Sequence, residues 1–200
     1  AELKNLRNQL NPHFLLNTLN NIYALTAFDT EKAQQAIQEL SKLLRYVLYD
    51  NQETFVPLTK EVEFIQNYIE LMRIRVSSAV KINTNFQIRP DSQSPVAPLL
   101  FISLIENAFK HGISPTEPSF IDIMLTEKDD EIHCVIRNSN YPKNAMDKSG
   151  SGIGLEQVRK RLELLYAGRY EWHQQISSNQ KEYSSILTIK IPDNNKKILP

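Results

Sequence analysis

The sequence contains little of what marks several protein classes. Its one cysteine, Cys134, cannot form an internal disulfide bond, and we expect it to be a small buried residue, as in proteins of the reducing cytoplasm. No run of about 18 apolar residues could span a bilayer, and no secretory signal is visible. The 23 lysine and arginine residues balance 23 aspartate and glutamate residues, so the basic excess typical of a nucleic-acid-binding protein is absent.

The N-terminal segment has a helical pattern without a visible start. Leu3, Leu6 and Leu10 are spaced three and then four residues apart, as in a coiled coil, and no capping residue precedes them. We therefore expect a piece of a longer protein, whose upstream part carries any sensor or membrane segment. Asn11-Pro12 interrupts the pattern and favours a new helix start or a kink.

A second amphipathic helix is predicted from about Thr30 to Tyr49, because apolar residues recur along one side of it. The link at 28–30 is short, so residues 1–52 are predicted to form an antiparallel helical hairpin. Each helix leaves an apolar stripe that a single hairpin cannot cover. Pairing with a second copy, as a homodimeric four-helix bundle, would cover both stripes.

Residues 57–195 are predicted to form a second domain, after a linker from Asp50 to Pro57. Its first helix is expected to be capped by Thr59, with Glu63 in the first turn. Strands and helices then follow without regular βαβ order, which favours a two-layer α/β sandwich on a mixed sheet. The strands are expected near 80–88, 120–126, 131–138, 171–177 and 184–191, and the later helices near 99–111 and 155–166. The chain as a whole is therefore assigned to the α+β class.

One histidine of the first helix stands apart from the apolar face. With about 100° per residue, Asn17 and Asn20 fall within about 40° of His13. Leu15, Leu19 and Ile22 fall on the opposite side and are expected to face the local core. A lone histidine is usually structural, but a core histidine would share the leucine face. An exposed neutral imidazole is a competent nucleophile.

The string around this histidine carries a family resemblance. Residues 9–20, QLNPHFLLNTLN, closely resemble the phosphoacceptor box of LytS/YehU-like sensor histidine kinases, written Q-x-N-P-H-F-x-x-N-x-L-N. The resemblance implies that His13 is phosphorylated on nitrogen. Many other histidine kinases have an acidic residue directly after the histidine, whereas Phe14 follows here. The identity of a general base is therefore open.

A later apolar helix ends in polar residues. Asn107, Lys110 and His111 are three to four residues apart, so they gather near one side of its last turn. An amide oxygen suits Mg²⁺, and a lysine supplies a point charge for phosphate. The alternative is an ordinary helix whose basic last turn is favoured by the helix dipole. Gly112 stands at the expected C-cap.

A glycine-rich segment, residues 149–155, precedes the next predicted helix and contains three of the five glycines. Glycines permit close backbone approach, and a helix N-terminus offers N–H groups to an anion. A flexible turn explains such a segment equally well. No Gly-Lys-Ser/Thr follows, so it is not a Walker loop.

Together these two segments resemble the ATP-binding GHKL fold, also called the Bergerat fold. Glu-Asn-Ala-x-Lys-His-Gly at 106–112 resembles its N box, and 150–155 resembles its second glycine box. The resemblance implies ATP and Mg²⁺, with Asn107 binding the metal and Lys110 and His111 approaching the phosphates. Glu106 is a candidate for proton or water handling near the γ-phosphate. The implied lid residues are Gly150, Gly152, Gly154 and Leu155.

One sequence motif of the wider GHKL fold is not matched in this chain. An Asp-x-Gly-x-Gly usually ends the strand before the lid, and its Asp accepts a hydrogen bond from the adenine amino group. This chain has Asn138, Ser139, Asn140 and Tyr141 in that place. An amide oxygen can also accept from that amino group, so Asn138 is the candidate adenine contact.

The resemblances imply a protein-histidine kinase that autophosphorylates His13 and passes the phosphate to an aspartate of a response regulator, which in this family often carries a LytTR-type domain. The implied setting is the cytoplasmic domain of a bacterial inner-membrane sensor, with membrane contact only through upstream segments and no nucleic-acid partner. One alternative is a weakly catalytic or phosphatase-biased ATP-binding scaffold, suggested by Asn138. Another is a GHKL ATPase, but such enzymes need a glutamate where this chain has Ser103.

Overall fold

The computed structural model describes residues 12–50, 53–141 and 151–191. The helices α1 to α5 of these ranges are Pro12–Leu25, Thr30–Arg45, Leu58–Arg75, Leu100–His111 and Ser151–Tyr166. The strands β1 to β7 are Val56–Pro57, Val80–Gln87, Pro95–Val96, Ser119–Lys128, Glu131–Ser139, Tyr170–Ile176 and Glu182–Lys190. None of these helices is both long and apolar enough to cross a membrane.

Five strands form one mixed sheet in the order β2-β4-β5-β7-β6. Strand β2 pairs with β4 in parallel, and the remaining neighbours are antiparallel. Asp129, with a positive φ of 55°, makes the tight turn between β4 and β5. The α+β class and the mixed sheet predicted from the sequence are therefore confirmed.

The core lies between one face of this sheet and the helices. Side chains alternate along β4 and β5, so that every second residue is buried. Helix α4 packs on both strands and also contacts α5. The buried residues of the two strands include Ile121, Ile123, Leu125, Ile132, Cys134 and Ile136. Cys134 is thus a buried apolar residue, as expected.

The N-terminal helices α1 and α2 are joined by a short turn. Asp29 caps α2 by accepting a hydrogen bond from the backbone N–H of Lys32 at 3.1 Å. The buried residues Ala33, Ala36, Leu40 and Leu43 form one side of α2, which packs along α3. Beyond Arg45 the helix widens into a π-helical turn, Tyr46–Asp50. The four-helix bundle of two chains stays a prediction.

Two expectations about the start of the second domain are wrong. The supposed linker contributes Val56–Pro57 as strand β1, which pairs with β3. Helix α3 begins at Leu58, so Thr59 lies within its first turn and does not cap it. The Thr59 hydroxyl donates instead to the carbonyl of Ser92, at 3.3 Å. A pairing between two short distant segments leaves no local periodicity in the sequence, which explains why both expectations failed.

Candidate functional site

The polar end of α4 is held at the edge of the core. The first half of α4 is buried, whereas Asn107, Lys110 and His111 are half-buried on its last two turns. The helix places these three side chains in one neighbourhood, as their spacing predicts. The carbonyl of His111 also accepts a hydrogen bond from the backbone N–H of Tyr141, at 3.3 Å. The end of α4 is therefore tied to the segment that follows β5.

Helix α4 ends at Gly112, but not through the left-handed conformation that usually selects glycine. Gly112 has a φ of −92°, in the right-handed region, and its N–H donates to the carbonyl of Ala108 at 2.7 Å. A Cβ built on Gly112 would lie 2.6 Å from that carbonyl oxygen and 2.9 Å from the Cβ of Asn138. Glycine is required here because both the Ala108 carbonyl and the end of β5 lie too close for a side chain.

Asn138 is buried at the end of β5, with 1% of its surface exposed. Its Nδ2 donates to the carbonyl of Ser139 at 2.8 Å, which fixes the direction of the amide. Its Oδ1 is buried and has no hydrogen-bond partner among the described residues. A buried acceptor without a partner is costly, so this atom is suited to an incoming donor such as an adenine amino group. The residues present therefore fit ATP.

Ser139 holds the end of β5 in place, a role that was not predicted from the sequence. Its hydroxyl donates to the carbonyl of Gly112 and accepts from the backbone N–H of Phe120, the latter at 3.1 Å. Ser139 therefore joins the end of β5 to both α4 and β4. The sequence indicated Ser139 only through its position after Asn138, in the segment where this chain lacks the family's Asp-x-Gly-x-Gly.

Glu106 precedes Asn107 on α4 and is largely buried. Burial raises the pKa of Glu106 to about 8, and its Oε1 has no hydrogen-bond partner within the described part of the chain. Its charge also raises the pKa of the buried Tyr68 hydroxyl, although the burial of Tyr68 is the larger cause. A carboxyl group in this environment favours its neutral form near pH 7. Its role in proton or water handling stays a hypothesis.

The glycine-rich segment differs from the predicted loop. Helix α5 begins at Ser151, so Gly152 and Gly154 lie in its first turn and not before it. Gly154 is exposed, and a Cβ built on it would meet nothing within 4 Å. Leu155 is partly buried against the core. Gly150 lies outside the described residues, so its assignment to a lid is not tested.

His13 is the second residue of α1, and the described side chains of that helix begin at Leu15. The buried face of α1 includes Thr18 and Ile22. Asn17 and Asn20 are exposed, as predicted. The side chain of His13 lies outside the described side chains, so its exposure stays a prediction.

Leu19 does not follow the prediction for α1. It was expected in the local core, but 53% of its surface is exposed. Together with Leu16 and Tyr23 it forms an exposed apolar stripe of α1. The core position expected for Leu19 is taken by Thr18, whose hydroxyl accepts a hydrogen bond from Arg75 of α3 at 3.4 Å. A wheel drawn from hydrophobicity alone cannot anticipate a buried threonine with a polar partner.

Known proteins with similar sequences include a sensor protein and a sensor histidine kinase. Residues 1–80, which contain His13, match the family described as Histidine kinase. The whole chain is 30% identical to the sensor protein LytS of Oceanobacillus iheyensis, and 83% of it is 31% identical to the sensor histidine kinase YpdA of Escherichia coli. The chain covers 36% and 31% of these two proteins, about a third of each.

A solved structure with the same fold is the histidine kinase domain from the blue-light activated histidine kinase of Erythrobacter litoralis EL346. The TM-score is 0.50 at 13% sequence identity, over 94% of this chain and 92% of that chain. At this identity the likeness concerns the fold alone. It covers both the N-terminal helices and the α/β part of the described chain.

Proposed function

We propose that this chain is the catalytic part of an ATP-dependent protein-histidine kinase, with His13 as the phosphoacceptor. The observation that carries the proposal is the buried Oδ1 of Asn138, which has no partner among the described residues. The Cβ and Nδ2 of the same residue lie against the end of the helix that bears Asn107. The family match of the segment containing His13 supports the second half of the proposal.

The phosphate groups are assigned to the polar end of α4 and the first turn of α5. Asn107 would hold Mg²⁺ through its amide oxygen, and Lys110 and His111 would approach the phosphates. Magnesium, when bound, neutralises phosphate charge. In the first turn of α5, Gly154 is exposed and a Cβ on it would meet nothing within 4 Å, which leaves room for a phosphate near the backbone.

The proposed reaction is an in-line transfer of the γ-phosphoryl group to the imidazole of His13. The lone pair of one ring nitrogen forms the N–P bond, while the bond between the γ-phosphorus and its bridging oxygen breaks. ADP leaves with that electron pair, and the proton on the other ring nitrogen is released to solvent. Such a transfer depends mainly on positioning and charge neutralisation.

The proposed partners follow from the same family. The phosphate would pass to an aspartate of a response regulator. The sequence resemblance implies that this regulator carries a LytTR-type domain. The exposed apolar stripe of α1, formed by Leu16, Leu19 and Tyr23, supports pairing with a second copy. The proposed setting is the cytoplasmic side of a bacterial inner-membrane sensor.

Labelling with γ-³²P-ATP and Mg²⁺ tests this proposal directly. The wild-type chain is expected to take up a label that is lost in acid and retained in base, as phosphohistidine is. His13→Gln should take up none, whereas His173→Gln, a change at an exposed histidine of β6, should label like the wild type. Equal labelling of His13→Gln would contradict the proposal.

A second candidate is an ATP-binding scaffold with little kinase activity. It is favoured by one observation, the asparagine at position 138 in place of the family aspartate. Wild-type chain that binds ATP and takes up no label would support this candidate. A GHKL ATPase has less support, because Ser103 of α4 donates to the carbonyl of Leu99 at 3.4 Å and brings no carboxylate. Steady ATP turnover that survives His13→Ala would revive it.

A further inference from the structure

Glu61 of α3 is a fully buried carboxylate at the junction of several elements, with 0% of its surface exposed. The hydroxyl of Tyr46 donates to it from the π-helical turn that ends α2. The backbone N–H of Leu99 donates to both of its oxygens, each at 3.1 Å. A buried carboxylate is tolerated only where such partners satisfy it, so the three groups depend on one another.

Leu99 is the residue on which α4 begins. It has a positive φ of 62° and no side-chain hydrogen bond caps the helix. Leucine rarely adopts this conformation, and the surroundings must hold it there. The two hydrogen bonds to Glu61 do so. Glu61 therefore sets the start of the helix whose other end carries Asn107.

Helix α5 reaches the same point through Arg161, a buried arginine with 8% of its surface exposed. Its Nη2 donates to the carbonyl of Pro98 at 2.7 Å, next to Leu99. Its charge favours the ionised form of Glu61. Arg161 lies about two helical turns along α5 from Gly154. The first turn of α4 and the middle of α5 are thus both linked to one carboxylate, the former by hydrogen bonds and the latter by charge.

The charge of Glu61 depends on these partners. Burial raises the pKa of Glu61 to about 7, although the hydrogen bonds from Tyr46 and Leu99 and the charge of Arg161 act in the opposite direction. Loss of any one partner would therefore favour protonation and weaken the attraction to Arg161. Such a group couples the positions of the elements that it joins.

We propose that Glu61 is a positioning residue for the phosphotransfer, which holds the end of α2, the start of α4 and helix α5 in one arrangement. The proposal rests on the proposed function, since it concerns the placement of His13 relative to ATP. Tyr46 connects Glu61 to the N-terminal helices. Leu99 and Arg161 connect it to the two helices of the proposed nucleotide site.

The first experiment removes only the hydrogen bond between Tyr46 and Glu61, which connects Glu61 to the N-terminal helices. Tyr46→Phe deletes one hydroxyl, and Tyr49→Phe, at an exposed tyrosine of the same turn, is the matched control. Single-turnover labelling is measured over a range of ATP concentrations. We expect the labelling rate of Tyr46→Phe at saturating ATP to fall about tenfold, with the apparent ATP affinity changed by less than about threefold. Tyr49→Phe should equal the wild type.

Two outcomes of this experiment would overturn the proposal. One is a labelling rate of Tyr46→Phe within about twofold of the wild type. The other is a loss of rate explained by unfolding, seen as a melting temperature below the assay temperature. That second outcome would leave Tyr46 with a role in stability only.

The second experiment does not depend on phosphotransfer. ATP–Mg²⁺ binding is measured by calorimetry for Glu61→Gln and for the control Glu63→Gln, at an exposed residue of the same helix. We expect Glu61→Gln to bind ATP about tenfold more weakly, because Arg161 loses its charged partner. Wild-type affinity in Glu61→Gln would overturn the proposal, and a failure of this variant to fold would leave the decision to Tyr46→Phe.

The two experiments separate this proposal from the kinase proposal. A wild-type chain that binds ATP and takes up no label contradicts the kinase function. The positioning role is then decided by the ATP affinity of Glu61→Gln alone. A wild-type chain that labels normally, with both variants unaffected, contradicts the positioning role and leaves the kinase function standing.

Discussion

Gly112 and Asn138 lie so close together that a methyl group on the glycine would be 2.9 Å from the Cβ of the asparagine. The backbone of Gly112 is in the ordinary right-handed region, so contact and not conformation excludes a side chain. The buried amide of Asn138 is therefore positioned by the end of α4. A change at either residue is transmitted to the other.

Gly112→Ala is expected to push Asn138 from its place. Overpacking of this kind costs about 1–3 kcal/mol of the free energy of unfolding, and the affinity for ATP should fall as well. Gly154→Ala is the matched comparison for stability, because its Cβ would meet nothing within 4 Å. That change should stabilise α5 by up to about 1 kcal/mol. Urea unfolding measures both variants, and equal effects would contradict the contact.

Asn138→Ala is expected to reduce the preference for adenine. The Oδ1 of Asn138 accepts, so it favours the amino group of ATP and disfavours the carbonyl of ITP at the same ring position. We expect wild-type chain to bind ITP about tenfold more weakly than ATP, and the variant to lose most of this difference. Competition binding measures both nucleotides.

The control for this change is Asn140→Ala. Asn140 is a neighbouring amide whose Nδ2 donates to the carbonyl of Gln180 at 2.9 Å. Its change to alanine should leave the preference for ATP over ITP unchanged. An ATP preference of Asn138→Ala equal to that of the wild type would show that the adenine lies elsewhere.

Asn107→Ala is expected to lower histidine labelling about 100-fold, since Mg²⁺ would lose a ligand. Asn107 is half-buried at the polar end of α4, so the helix should remain folded. Labelling and circular dichroism are measured together. Asn85→Ala, at an exposed residue of β2, is the control. Retained labelling in Asn107→Ala would remove its assignment to the metal.

Tyr23→Lys is expected to separate a dimer into single chains. Tyr23 is 80% exposed on the apolar stripe of α1, and a lysine buried between two copies would lack a partner. Phe28→Lys introduces the same side chain at an exposed aromatic residue in the turn after α1 and should leave the dimer intact. Light scattering gives the mass. A wild-type mass near 23.1 kDa would contradict the four-helix bundle.

Glu127 makes stability depend on acid pH. Burial opposes its ionisation, but hydrogen bonds from Arg89, Ser92 and Ser94 are stronger together and lower its pKa from 4.5 to about 2. Because the folded value is the lower one, the contribution of Glu127 is complete above the unfolded pKa. It is lost as the pH falls from 4.5 towards 2.

Glu127→Gln should therefore lower the free energy of unfolding at pH 7 by about 1–3 kcal/mol. The variant should also show a shallower loss of stability in acid than the wild type. Glu117→Gln, at an exposed residue of the loop before β4, is the control. Urea unfolding between pH 2 and pH 7 measures both, and parallel profiles for Glu127→Gln and wild type would contradict the assignment.

The sequence predicted the long regular elements well, because their periodicity is local. Helix α4 begins at Leu100, one residue from the expected start, and strands β4 and β5 contain the ranges expected for them. The pairing of β1 with β3 and the positive φ of Leu99 could not be predicted. Both depend on contacts between segments that are far apart in the sequence.

For the candidate site, the sequence predicted which residues share the end of α4, and their roles stay predictions. Spacing placed Asn107, Lys110 and His111 together, and the family boxes singled out Asn138. The sequence did not reveal Ser139 or the group around Glu61, since a buried glutamate looks the same as an exposed one in a helical pattern. Their roles appear only when partners from other elements are known.

The parallel pairing of β2 with β4 has a consequence for the order of folding. The antiparallel strands β4 and β5 are joined by a tight turn, whereas β2 pairs only after the chain segment that contains α4 has closed into a loop. Non-local parallel contacts form slowly. We therefore expect the β4–β5 pair to form early and the proposed nucleotide site to be completed late, when β2 docks and α4 settles on the sheet.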